Sequence, residues 1–187
     1  MGPALAEHSR FVQRVRRRLG ALKPLLAPGV PDSARIDGLI DALLAQGQPL
    51  PVAMRTARQL VIERLAVLDI EEGASLDAIT GAMTELAEVT LERALAAARV
   101  EADARHGAPR TPNGAPIEMW IVGMGKLGAR ELNVSSDIDL VYVYEDDGQT
   151  EADGDGQRSV SAHEYFAFVA RRLQALIGDT TEDGFVF

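Results

Sequence analysis

The chain has 187 residues, a formal net charge of −9 and 47% hydrophobic residues, enough for one ordinary domain or two small ones with a buried core, which excludes wholesale disorder. The acidic balance argues against nonspecific binding of duplex nucleic acid, which needs a basic footprint, but a phosphorylated small ligand needs only a local positive site. With no cysteine, disulfides, thiol catalysis and cysteine-ligated zinc are ruled out, and a cytoplasmic setting is expected.

Residues 4–19 read as a first helix, with Leu5, Phe11, Val12, Val15 and Leu19 near helical spacing. Arg16-Arg17-Arg18 has the look of a twin-arginine signal, but Lys23, Pro24, Pro28 and Pro31 interrupt any apolar signal core. The arginines are read instead as a solvated basic helix end. Asp32-Ser33 offers the start of a second helix to about Gln46, and Pro49 and Pro51 open a third to about Asp69. Ser75 caps a long fourth helix, whose expected inner face holds Leu76, Ile79, Met83, Leu86, Thr90 and Ala94. Alanine is dense through 94–104, which favours helix at no cost in side-chain order. No run of apolar residues approaches the roughly 18–20 needed to span a bilayer. His8, His106 and His163 lie far apart and outside any His-Glu-x-x-His pattern, so each is read as a surface or structural residue.

Residues 106–116, with three prolines and two glycines, cannot continue a helix. The expected organisation is a helical region over 1–105, a linker over 106–116 and an α/β part over 117–187. Beyond Tyr144 the acids Glu145, Asp146, Asp147, Glu151, Asp153 and Asp155 form a solvated loop. Asp153-Gly-Asp155-Gly has too few alternating oxygen ligands, and no closing glutamate, for a calcium loop. Ser161 then caps a helix to about Ile177 with Phe166, Val169, Leu173 and Leu176 buried, and Asp183-Gly184 turns into an expected strand at Phe185-Val186-Phe187.

The chemistry concentrates in 117–144, IEMWIVGMGKLGARELNVSSDIDLVYVY. An apolar strand leads into the turn Gly123, Gly125, Gly128 with Lys126 inside it, and Ser135-Ser136-Asp137-Ile138-Asp139 opens a second apolar run. On a strand, Asp137 and Asp139 fall on one face about 7 Å apart. Because Ile138, Leu140, Val141 and Val143 are apolar, the strand is expected to be buried, where two unpaired carboxylates would cost several kcal/mol or take up protons. A divalent cation removes that conflict, and Mg²⁺ typically binds through one or two carboxylates plus substrate phosphates. With two ions, such a site can stabilise both the attacking and the leaving oxygen of a displacement at phosphorus. The competing structural reading has Asp137 capping a turn and Asp139 pairing with an arginine.

The glycines have a rival reading. Gly123-x-Gly125-x-x-Gly128 matches the dinucleotide-binding fingerprint, with Glu145 about twenty residues on, where a ribose-binding acid belongs. Against it, the helix over 126–132 is short for a crossover, Lys126 sits inside the turn, and Asp137 and Asp139 have no task. A Walker loop fails because leucine follows Lys126. Polymerase-β-like nucleotidyltransferases place a strand, a glycine turn at a helix start and, about a dozen residues on, an acid-hydrophobic-acid strand. The spacing from Gly125 to Asp137 fits that pattern, with the turn amides and helix start on phosphate.

Within that superfamily, GMGKLGARELNVSSDIDLVYVY resembles the signature of the glutamine synthetase adenylyltransferase/adenylyl-removing family, closely over 117–187 and more loosely over about 52–105. The resemblance implies an α+β fold: an N-terminal helical bundle followed by a polymerase-β-like mixed sheet with helices, incomplete at the C-terminus. It implies that Asp137 and Asp139 are catalytic and hold Mg²⁺, with one or two ions. Gly123, Gly125, Lys126, Ser135 and Ser136 would contact the phosphates of ATP or ADP. Family members remove AMP from a glutamine synthetase tyrosine by phosphorolysis, giving ADP, or attach it from ATP. Glu131-Leu132-Asn133 and Asp137-Ile138-Asp139 are similar to the adenylyl-removing copy. Glutamine synthetase is the implied partner, a PII signalling protein and glutamine the implied regulators, and neither nucleic acid nor membrane is expected. Ala129 departs from the family's usual second glycine, and the family's third carboxylate and arginine-rich segment would fall just past Phe187. The chain is therefore expected to be a fragment with little or no turnover of its own. A dinucleotide-binding domain and a non-catalytic nucleotide- or partner-binding fragment are the alternatives.

Overall fold

The protein is described here from a computed structural model covering residues 5–152, 154, 157–179 and 184–187. Asp153, Asp155 and Asp183 of the expected loop and turn lie outside the described residues, as does Ala4. The helices are α1 Arg10–Leu19, α2 Ser33–Ala45, α3 Leu50–Ile70, α4 Leu76–His106, the one-turn α5 Gly125–Gly128 and α6 Ala162–Gly178. The strands are β1 Pro109–Arg110, β2 Met119–Gly123, β3 Leu140–Tyr144 and β4 Gln149–Thr150. This is an α+β fold of mostly helices with two small sheets, and both strand pairings, β1 with β4 and β2 with β3, are antiparallel. No helix among the described residues is long and apolar enough to cross a membrane.

Local chemistry explains most of the helix boundaries. The Ser9 hydroxyl accepts from the Val12 amide, the Asp32 carboxylate from Arg35, and Ser75 from Ala78, each satisfying an amide that has no partner inside its helix. Ser161 and Glu164 form a reciprocal capping box at the start of α6. The first expected helix is in fact two pieces. Leu5–His8 form a 3-10 turn and α1 starts afresh at Arg10, because Ser9 leaves helical geometry to cap it. Leu5, counted in the apolar spacing of a single helix, is exposed.

The 31-residue α4 is the spine of the molecule. Met83, Ala87, Thr90, Ala94, Ala98 and Ala102 form its buried stripe, whereas Leu76, expected there, is exposed. Its first and middle turns pack on α2 and α3: Glu85 accepts from Ser33, and Arg93 donates to Asp37 and Asp41, both at 2.7 Å. Its second half packs on α6, where the Tyr165 hydroxyl donates to Asp103 at 2.5 Å. Burial first, and then the Asp103 carboxylate beside it, push the Tyr165 phenol above its ordinary pKa. Most of the buried apolar side chains form one cluster running from Val15 on α1 to Val186 near the end of the chain.

Residues 106–116 are ordered by pairing: β1 bonds to β4, and Thr111 and Ala115 close a tight turn. The expected final strand is replaced by a different arrangement. The Val186 and Phe187 amides both donate to the Ile177 carbonyl and fold back over the end of α6. Arg55 on α3, only 2% exposed, fastens the same region by donating to the backbone carbonyls of Pro51, Asp179 and Gly184. Arg55→Met removes three hydrogen bonds from a buried guanidinium, so urea unfolding is expected to show a loss of about 2–4 kcal/mol with the helical circular dichroism retained.

Candidate active site

The site is built at one end of the β2–β3 hairpin. β2 runs into the glycine turn, α5 makes a single helical turn, and the chain returns through 129–139 to β3, with Gly123 paired to Leu140. One backbone bond closes the base of this excursion: the Met124 amide donates to the Asp139 carbonyl at 2.8 Å. Gly125 adopts φ +54, a left-handed conformation that glycine enters without a steric cost. Gly128 is required for a different reason. A Cβ there would lie 2.4 Å from the Gly123 carbonyl oxygen, so only glycine lets α5 sit this close to the end of β2.

The return segment is organised by Asn133. Its side-chain oxygen accepts from the Ser135 amide at 3.1 Å and from the Ser136 hydroxyl at 2.9 Å, while its carbonyl accepts from the Ser136 amide. The Lys126 ammonium donates to the Ser136 hydroxyl at 3.4 Å, joining the glycine turn to the serine loop. Met124, Gly125, Lys126, Asn133, Ser135, Ser136, Asp137 and Asp139 together line an open cavity of about 460 Å³. Six of the seven residues expected from the sequence thus meet in one cavity. Gly123 does not; it packs beneath the Leu127 side chain.

The carboxylates are placed differently from expectation. β3 begins at Leu140, so Asp137 and Asp139 precede the strand rather than lie on it, and both are exposed. The strand is not buried either: Val141 and Val143 face solvent while Leu140, Tyr142 and Tyr144 turn inward. The desolvation argument for a cation therefore does not hold, because exposed carboxylates carry no burial cost for a cation to offset. The remaining ground is geometric. Neither carboxylate makes a hydrogen bond or ion pair among the described residues, which removes the reading that Asp139 pairs with an arginine. Both open onto a cavity that also holds a lysine and two hydroxyls. Two carboxylates, with phosphate and water completing the shell, fit Mg²⁺. No cluster of three or more His, Cys, Asp or Glu suited to a metal occurs among the described residues.

Strand direction decides against the dinucleotide reading. A dinucleotide fold needs the strands on either side of the glycine turn to run parallel with a crossover helix between them, but β2 and β3 are antiparallel and α5 is four residues long. Comparison with known proteins points elsewhere. A family model described as glutamate-ammonia ligase adenylyltransferase matches residues 8–187. The chain belongs to that family. It is 43% identical over 183 residues to a bifunctional glutamine synthetase adenylyltransferase/adenylyl-removing enzyme of Burkholderia mallei, covering 91% of this chain and 20% of the relative. The Ralstonia nicotianae protein of the same name is 41% identical over 196 residues, covering 99% and 20%, and that of Aromatoleum aromaticum 35% over 192 residues, also covering 99% and 20%. The chain thus spans about one fifth of the length of these curated relatives.

Within the adenylyltransferase family signature, Asn133 is the residue that the reading of the site residues from sequence left without a role. Its signal was present: an asparagine two and three residues ahead of a serine pair is the pattern of an Asx turn. Ala129, read from the resemblance as a departure from a glycine, falls at the end of α5, where its amide donates to the Gly125 carbonyl and its side chain stays clear of the cavity lining. Gly128→Ala should separate α5 from β2 at a cost of about 1–3 kcal/mol and speed hydrogen exchange through the glycine turn. Gly81→Ala serves as the control. It lies within α4 with nothing within 4 Å of the added carbon, so it should stabilise the fold by up to about 1 kcal/mol.

Proposed function

We propose that residues 117–144 form the phosphate- and metal-binding part of a nucleotidyl-transfer centre acting on glutamine synthetase. The reading is carried by the convergence of Gly125, Lys126, Ser135, Ser136, Asp137 and Asp139 on one cavity at the end of a hairpin. Family membership and the names of the relatives support it, and the adenylyl-removing half is favoured by the likeness of Glu131-Leu132-Asn133 and Asp137-Ile138-Asp139 to that copy. A PII-type regulator enters only through the same likeness, as a partner of the whole protein.

In the proposed reaction an oxygen of inorganic phosphate forms a bond to the phosphorus of the tyrosine-linked AMP. The bond from that phosphorus to the tyrosine oxygen breaks, the phenolic oxygen takes up a proton, and ADP leaves. Lys126 and the hydroxyls of Ser135 and Ser136 neutralise and orient phosphate oxygens, with the amides of the glycine turn as further donors. Asn133 holds both serines in place. Asp137 and Asp139 would hold Mg²⁺, which supplies charge stabilisation at the transferring phosphorus.

Asp137→Asn and Asp139→Asn, each placed in a full-length family protein, are expected to lower Mg²⁺-dependent ADP formation from adenylylated glutamine synthetase by at least about a hundredfold. In the 187-residue chain the same substitutions should remove Mg²⁺-dependent binding of ADP in calorimetry, with little change in melting temperature because both carboxylates are exposed. Turnover retained in both variants would reject the assignment.

A further inference from the structure

The outer face of the β2–β3 hairpin is apolar and uncovered. Residues directly opposite on an antiparallel pair share a face, so Trp120 with Val143 and Val122 with Val141 form two adjacent cross-strand pairs. These side chains are 50%, 43%, 44% and 45% exposed respectively. The other face is closed: Met119 is buried and Tyr144 stacks on Phe166 of α6 at 4.9 Å. The alternation of exposed and covered positions continues back from Val143 and Val141 through Asp139 and Asp137. Met124 sits across from Asp139, joined by the 2.8 Å backbone bond, and is also exposed. One continuous strip therefore starts at the cavity and runs outward along the hairpin. At the rise of a strand, Val141 and Val143 lie about 7 and 13 Å beyond Asp139.

We infer that this strip seats the nucleobase of the nucleotide whose phosphates occupy the cavity at Lys126 and Ser136, with the base against the Trp120 ring and Val122. The inference rests on the nucleotide reading of that cavity. Three features support it. The step from Asp139 to the two cross-strand pairs is one that a ribose and its phosphoester link can span. Beyond Asp139 the side chains of the two cross-strand pairs are all uncharged, so they offer a π face and flat methyl groups, the surface on which bases stack. Its area also excludes the bulkier occupants. Four half-exposed side chains present on the order of 300 Å², whereas a stable interface between proteins uses about 800 Å² from each partner.

Trp120 is the only tryptophan in the chain, so its emission reports directly on the strip. The 187-residue chain is titrated with Mg²⁺-ATP and, in parallel, with Mg²⁺-tripolyphosphate, following calorimetry, tryptophan emission and acrylamide quenching. Both ligands should bind. Only ATP should change the emission and shield Trp120 from acrylamide. Trp120→Ala should weaken ATP by at least about fivefold and leave tripolyphosphate within about twofold of its original affinity. ATP binding with unchanged emission and shielding, and with equal affinity in Trp120→Ala, would overturn the base seat and leave the nucleotide reading of the cavity intact. Failure of both ligands to bind would reject the nucleotide reading itself, and the base seat with it. Emission that follows protein concentration instead of nucleotide, with dimers in sedimentation, would assign the strip to self-association and overturn the inference. The shielding measurement needs no variant, so it decides the matter even if Trp120→Ala folds poorly.

Discussion

The buried stripe of α4 is shared between two sets of partners, and every other placement in the molecule follows from that sharing. Over its first half, Met83, Ala87 and Thr90 lie buried where the helix packs on α2 and α3; over its second half, Ala94, Ala98 and Ala102 lie buried where it packs on α6. Small side chains on the second half let the helices approach closely, and the Tyr165–Asp103 bond fixes the orientation of α6. The β2–β3 hairpin then lies on α6 through Tyr144 and Phe166. A helix of roughly 46 Å thus carries the helical bundle and α6, and the hairpin lies alongside its middle turns, where Arg130 pairs with Glu88 and Arg99 with Glu118.

The hairpin in turn sets the cavity. Antiparallel pairing brings the end of β2 beside the start of β3, so the glycine turn leaving one strand and the acids entering the other are held side by side. The Met124–Asp139 backbone bond locks that register, and Gly128 permits α5 to lie flat against the strand end. Asn133 and Lys126 then tie the serine loop across the opening. Rigid elements fix the position of each group while leaving the carboxylates open to solvent, which suits residues whose partners arrive with a ligand.

The chain is acidic overall, yet the cavity holds Lys126 and two serine hydroxyls beside its two carboxylates. In the proposed function, recognition of a phosphorylated ligand depends on local geometry, not on a long-range field. The same hairpin explains why the glycine fingerprint misleads. Gly-x-Gly-x-x-Gly describes a tight turn with close backbone approach, which both folds need. Only the direction of the next strand separates them, and that direction is absent from the motif.

Much of the fold was legible in the residues themselves. Caps at Asp32, Ser75 and Ser161, prolines at 49 and 51, and the apolar spacing of α6 act within a few residues of chain, so they read correctly from sequence. The pairing of Lys126 with a serine-acid segment a dozen residues on was also visible, because the types of side chain already state the chemistry. What packs across from an element was not. Sequence placed Asp137 and Asp139 on a buried strand, but their exposure depends on which face of the hairpin α6 covers, and an apolar pattern is the same whether its outer face is covered or open. The same non-local choice folded Val186 and Phe187 back onto Ile177 and left Trp120 and Val122 bare beside the cavity. Sequence alone singled out the residues proposed to bind a phosphate and a metal; the tertiary structure decided that they meet in the open, because burial and strand direction are set by contacts between segments far apart in the chain.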